Sequence, residues 1–258
     1  MDTGTRRDRA GPVERLALLT VVAIIALSGI RLCTGPEETL AFLLYDDAYY
    51  YFGVARNLAG GHGSTFDGIH PTNGYHPLWC WLVVPVFALV DDPGRAVRVI
   101  GAAWFVLAAV APCALWWALR PRTGASGAVM AAALFGLQPV LAVGLSRPSG
   151  LETPLYALLV AVAIGAFERV AASGPAPPTP VAMVGLGATL GGVTLARMDG
   201  GFLGVAAAVL LAVYGSRAWG FRSAALRVGT LVAAAAVVVA PSLIWNETWS
   251  IAYSREPR

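Results

Sequence analysis

Apolar stretches long enough to cross a bilayer recur along the chain from Val13 to Trp245. A hydrocarbon core of roughly 30 Å is crossed by about 20 consecutive apolar residues in a helix. The helix is therefore the building unit, and the fold class is an all-α polytopic membrane protein. Of the 258 residues, 57% are hydrophobic and 13% charged, about half the charged share of a soluble domain. The net charge of +3 is small. It argues for no nucleic-acid partner, and only the placement of the arginines is informative. Cys33, Cys80 and Cys113 lack metal-ligand spacing. They read as isolated apolar fillers, with a Cys33–Cys80 bridge as the alternative.

Residues 1–12 form a polar tail carrying Arg6, Arg7 and Arg9. The apolar run behind it has no small-residue cleavage site, so it reads as an uncleaved first span. Spans are expected at about residues 13–32, 98–119, 124–145, 154–172, 181–196, 200–215 and 228–245. The prolines of Ser173-Gly-Pro-Ala-Pro-Pro-Thr-Pro180 make that link a connector. Residues 77–90 are apolar but short, contain Pro85 and stop at Asp91-Asp92.

Charge placement decides how that short run lies. If it spans, Arg120, Arg122, Arg217, Arg222 and Arg227 fall outside. If it lies on the outer surface, they join Arg15 and Arg169 inside. The second arrangement satisfies every short basic loop. The expected topology is seven spans, a cytoplasmic N-terminus, an outer loop over residues 33–97 with interfacial helices, and a plasma (inner) membrane location.

Most of the polar chemistry sits in that loop. Its central stretch reads Tyr45-Asp-Asp-Ala-Tyr-Tyr-Tyr-Phe-Gly-Val-Ala-Arg-Asn57, and all three histidines lie between His62 and His76. The spacing predicts a helix from Asp46 that Gly60-Gly61 ends. One aspartate at its start can be an N-cap. The other reading is a general base that takes a proton from an acceptor hydroxyl. Gly60-Gly61-His62-Gly63 and Pro71-Thr72-Asn73-Gly74 are turns, and no phosphate-loop context surrounds the first. Arg147 and Glu152 read either as a loop salt bridge or as part of a site. Arg197 and Asp199, between two apolar runs, read as an ion pair or as part of a polar site. No metal site is evident, although two adjacent aspartates can hold a divalent ion.

These residues carry a resemblance. The pattern DDAYYYFGVARNLAGGHG, FDG, PTNGYHPLW, then SGLETPLYALLVA, then LARMDG resembles the GT-C glycosyltransferases. It is most similar to bacterial multi-pass transferases related to protein O-mannosyltransferases and the aminoarabinose transferase, over about residues 13–245. The resemblance implies a polyprenyl-phosphate sugar as donor and a lipid, glycan or protein hydroxyl as acceptor. It assigns catalysis to Asp46 as base, with Asp47 beside it. It places His76, before Pro77-Leu78, at the lipid phosphate, where some relatives have Lys and a second Pro. Arg56, Arg98 and Arg147 are further candidates for that phosphate, and Glu152, Arg197 and Asp199 for support of the site. GT-C enzymes usually have more spans, and residues 246–258 form an atypical tail, so a truncated member is expected. The competing expectation is a non-enzymatic protein that binds or translocates a lipid-linked sugar. A transporter more often shows internal repeats and midplane polar sites; here the polar residues gather at one face.

Overall fold

The computed structural model describes residues 11–36, 44–143 and 150–254. Among the described residues it is helical, and its one β-bridge joins Thr65 to Pro71. The helices are α1 (Pro12–Thr34), α2 (Asp46–Ala59), α3 (Pro77–Leu89), α4 (Pro93–Val143), α5 (Thr153–Ala171), α6 (Pro180–Ala196), α7 (Gly201–Ala218) and α8 (Phe221–Ser254), with a 3₁₀ turn at Met198–Gly200.

Proline sets many of the starts. Pro12, Pro77, Pro93 and Pro180 open their helices, and Pro154 follows Thr153. A first-turn proline gives up an N–H that no helix carbonyl would accept. The side chains of Asp92 and Thr179 accept the N–H groups of Arg95 and Ala182, closing two of these starts. The long α4 is two helical segments. Gly124 sits between them at φ 71°, ψ 173°, a left-handed conformation that side chains disfavour. The segments expected at 98–119 and 124–145 fall on its two arms as far as Val143. The last helix, α8, continues past Trp245 to Ser254.

Among the described residues, five helical segments are long and apolar enough to cross a membrane: Pro12–Arg31, Pro93–Leu137, Thr153–Ala171, Met198–Ala218 and Phe221–Asn246. The second is 45 residues long and includes the Gly124 break. Helices α3 and α6 are shorter apolar helices. Large apolar side chains face outward along these segments, among them Leu16, Leu134, Phe202 and Leu226, as expected of a surface solvated by lipid tails.

Cross-contacts define two ends of the bundle. At one end Glu14 accepts from Ser126, Arg122 pairs with Glu168, and Trp219 donates to the Gly174 carbonyl. Arg15, Arg120, Arg122, Arg169, Arg217 and Arg222 belong to this end. At the other, Arg98 Nη1 donates to the carbonyls of Cys33 and Gly35, and Trp79 Nε1 donates to Gly150 O. Both the start of α3 and the chain just beyond it therefore lie toward this second end. At 13 residues, α3 is about 20 Å long. A buried cluster including Tyr51, Phe52, Trp79, Val83, Ile100, Trp104 and Leu155 fastens α2 and α3 to α4 and α5. The described cysteines are free thiols, so Cys33 and Cys80 do not bridge. Cys80 is buried and Cys33 approaches Arg98 O at 3.7 Å.

Helices α6 and α8 meet through glycine. A Cβ at Gly187 would lie 2.2 Å from Leu231 O, and one at Gly191 would lie 2.8 Å from Val238 Cβ. This small-xxx-small spacing lets the backbones approach. On the same helix, Gly185 has nothing within 4 Å of its would-be Cβ. Gly187→Ala is expected to destabilise the protein by about 1–3 kcal/mol through overpacking. Gly185→Ala should instead be neutral or stabilising by up to about 1 kcal/mol. Thermal unfolding of the two variants in detergent checks the contrast.

Candidate active site

The site end begins with the first turn of α2. Tyr45 is extended at φ −73°, ψ 152° and occupies the cap position, with no side-chain cap bond. Asp46 and Asp47 are thus the first two helical residues, and the expectation that one of them is the N-cap is corrected. The helix dipole favours negative charge there without a specific bond. Both aspartates are exposed, and neither carboxylate has a hydrogen bond or ion pair with a described residue.

Gly150 presses against this turn. It is left-handed at φ 69°, and a Cβ on it would lie 2.6 Å from Ala48 Cβ and 3.0 Å from Leu44 Cδ2. Trp79 holds its carbonyl at 3.0 Å. The segment leading into α5 is therefore clamped between α2 and α3, which fixes Glu152 two residues on.

Glu152 is 3% exposed, so its carboxylate needs partners. Arg197 Nη1 lies 3.3 Å from Oε1, and His76 Nε2 lies 3.7 Å from the same oxygen. The Tyr51 hydroxyl donates to Oε2 at 3.4 Å and accepts from the His76 backbone N–H at 3.0 Å. Burial, followed by smaller effects that include the Glu152 charge, pushes the Tyr51 phenol well above its usual range. Tyr51 therefore stays neutral and able to donate. Arg197 also grips Asp199 with Nε and Nη2, both at 3.1 Å, and lies 5.5 Å above the centre of the Tyr156 ring. His76 Nδ1 is buried and has no hydrogen-bond partner among the described residues. Such an atom is normally satisfied by water or a ligand.

The loop between α2 and α3 is tied down rather than open. Asn57 donates to the carbonyls of Thr65 and Phe66, Ser64 bonds Tyr75 and Thr72 O, and Tyr50 bonds Thr72. Asp67 accepts from the backbone of Ile69 and His70 and meets His70 Nδ1 at 2.6 Å. These bonds, the His70 side chain first, hold the Asp67 carboxyl well below the usual carboxylate range. Gly61 and Gly63 have positive φ, as the turn reading requires.

The expected residues therefore divide. His76, Glu152, Arg197 and Asp199 come together. Asp46 and Asp47 lie on the turn packed against Gly150. Arg56 is exposed in the last turn of α2, ten residues and about 15 Å along the helix from Asp46. Arg98 lies at this end of the bundle, bonded to carbonyls at the close of α1. Arg147 falls outside the described residues, so its expected loop pairing with Glu152 does too. Tyr51 and Tyr156 were not anticipated. Tyr51 carries a hydroxyl on the buried face of α2, with Ala48 and Ala55, and that spacing was the available signal. Among the described residues no group of three or more His, Cys, Asp or Glu side chains is arranged to hold a metal ion.

Helices of membrane-crossing length define a polytopic membrane protein, and a family-model match makes it one of the GT-C glycosyltransferase type. The chain belongs to the dolichyl-phosphate-mannose-protein mannosyltransferase family, whose model matches residues 70–245. The match takes in His76, Glu152, Arg197 and Asp199 and starts after Asp46 and Asp47. Searches among curated proteins and among solved structures return no significant match.

Proposed function

We propose that the protein transfers a sugar from a polyprenyl-phosphate donor to an acceptor hydroxyl at the outer membrane face. Family membership supports the reaction class. The observation that carries the reading to this end of the bundle is the cluster of His76, Tyr51 and Arg197 on buried Glu152, beside a turn whose two exposed carboxylates bond no described residue. The arginines at the opposite end favour a cytoplasmic position for that end, which leaves the site on the outer face of the plasma membrane.

In this mechanism Asp46 accepts the proton of the acceptor hydroxyl, and Asp47 orients the acceptor. The oxygen attacks the anomeric carbon from the face opposite the phosphate, and the bond from that carbon to the phosphate oxygen breaks with inversion. The departing lipid phosphate gathers negative charge, so a fixed cation or hydrogen-bond donor beside it lowers the barrier. His76 takes that place, with its Nδ1 offered to the phosphate. Glu152 and Tyr51 fix the ring and the backbone of His76, and Arg197 balances the Glu152 charge. Arg98 supplies a further cation at the same end.

The test is sugar transfer by membranes containing the chain, using a panel of radiolabelled polyprenyl-phosphate sugars and endogenous acceptors. Chain-dependent labelled product from at least one donor is expected. Saturable donor binding with no product from any donor would instead make the protein a lipid-linked sugar binder.

A further inference from the structure

The end of the bundle remote from Glu152 carries a second, separate feature. A groove of about 370 Å³ opens between α4 and α5, lined by Trp117, Arg120, Arg122, Gly165, Glu168 and Arg169. Helix packing forms its narrow part: a Cβ at Gly165 would lie 3.0 Å from Ala118 Cβ. Three guanidinium groups face one carboxylate. Arg122 uses that carboxylate, with Nε 2.7 Å from Glu168 Oε2. The Arg169 guanidinium stacks 4.3 Å over the centre of the Trp117 ring, and that of Arg120 lies 5.4 Å over Trp116. Neither Arg120 nor Arg169 has a carboxylate partner among the described residues. The groove therefore holds uncompensated positive charge beside half-exposed indole, the composition of a membrane-interface position.

A second cleft, of about 210 Å³, adjoins it. It runs between α5, α6 and α7, is lined by side chains such as Ile164, Phe167, Leu190, Leu203 and Leu210, and shares Glu168 with the basic groove. A cationic pocket at helix ends next to an apolar slot between helices matches an amphiphile with a phosphate head and a hydrocarbon tail. Arginine forks suit phosphate oxygens, and basic pockets between membrane helices bind anionic headgroups. We infer that this groove binds the headgroup phosphate of an anionic phospholipid, with an acyl chain in the adjoining cleft. The apolar slot selects a lipid over free phosphate. Glu152 stands just before α5 and Glu168 lies near its far end, about 24 Å along the helix, so one phosphate cannot occupy both places.

The test titrates the full chain in uncharged detergent with short-chain phosphatidylglycerol, phosphatidylcholine, a short polyprenyl phosphate and inorganic phosphate, read by calorimetry. Phosphatidylglycerol should bind saturably and at least about tenfold more tightly than phosphatidylcholine and inorganic phosphate, while polyprenyl phosphate bound at the Glu152 end should be unaffected by R120A/R169A. R120A/R169A should weaken phosphatidylglycerol binding roughly 25-fold, at about fivefold per arginine. R222A removes a charge at the same end but outside the groove and should change affinity less than about twofold. E168Q removes the competing carboxylate, so it should bind phosphatidylglycerol as tightly as the parent chain or more tightly. That variant keeps the idea testable should the double variant misfold. Equal losses in R222A and R120A/R169A would reduce the effect to diffuse charge and overturn the inference. So would weakened binding in E168Q, a loss of polyprenyl phosphate binding in R120A/R169A as large as the loss of phosphatidylglycerol binding, or full competition by inorganic phosphate. None of these readings requires sugar transfer, so the inference and the proposed function fail separately.

Discussion

Asp46→Asn is expected to lower sugar transfer by at least about 10²-fold, the range that loss of a positioned general base produces. The amide keeps the size of the side chain and removes the proton acceptor. Asp46 is exposed and makes no bond to a described residue, so the fold has little stake in it. The charge at the first turn of α2 interacts with the helix dipole by about 0.3–1 kcal/mol, and exposed substitutions usually stay within about 0.5 kcal/mol. The thermal midpoint in detergent should therefore barely move while transfer collapses. Asp47→Asn should show the same small stability change with a smaller loss of transfer. Equal activity in Asp46→Asn and the parent chain would remove the base from the mechanism.

Arg197→Ala has a different signature, because it acts on the fold as well as on the site. Glu152 is 3% exposed and Arg197 Nη1 lies 3.3 Å from it. Removing one partner of a buried ion pair costs about 3–5 kcal/mol. The Arg197 side chain is 37% exposed, so solvent screens part of this, and about 2–3 kcal/mol is expected. Arg197→Ala combined with Glu152→Ala should be less destabilised than the sum of the single variants, since the second change removes the stranded charge. Strict additivity in thermal unfolding would mean that the pair does not organise this end. Tyr51→Phe should change stability by only about 1 kcal/mol, the value of a hydrogen bond, yet raise the KM for donor by loosening His76.

The sequence made the membrane bundle legible because lipid solvation writes itself into long apolar runs and proline-marked starts. Most segments expected to span have helical counterparts within a few residues, as with Thr153–Ala171 for 154–172 and Pro180–Ala196 for 181–196. The joint between the two arms of α4 was legible as well. The two expected segments part at Thr123-Gly124, where a single left-handed glycine breaks the helix. The last helix runs past Trp245 because residues 246–254 contain neither proline nor glycine.

At the site, the residue types were readable and their pairing was not. Glu152 and Arg197 are 45 positions apart, with α5 and α6 between them, and no local pattern reports such a contact. Asp199 was readable as a partner of Arg197 because it is two residues away. Tyr51 escaped notice among three consecutive tyrosines, since only the packing of α2 shows which hydroxyl turns inward. Arg56 looked equivalent to the other cations in a linear reading, yet the rise of α2 carries it to the far end of that helix from Asp46.

Photo-crosslinking with a polyprenyl-phosphate sugar bearing a reactive group beside the phosphate tests the central claim most directly, because it reports where the donor sits without requiring turnover. Labelled peptides should map to residues 46–79 and 150–156, and His76→Ala should reduce the yield. Labelling confined to the arginine-rich end around Arg120 and Arg169, or unchanged by excess unlabelled donor, would contradict the account.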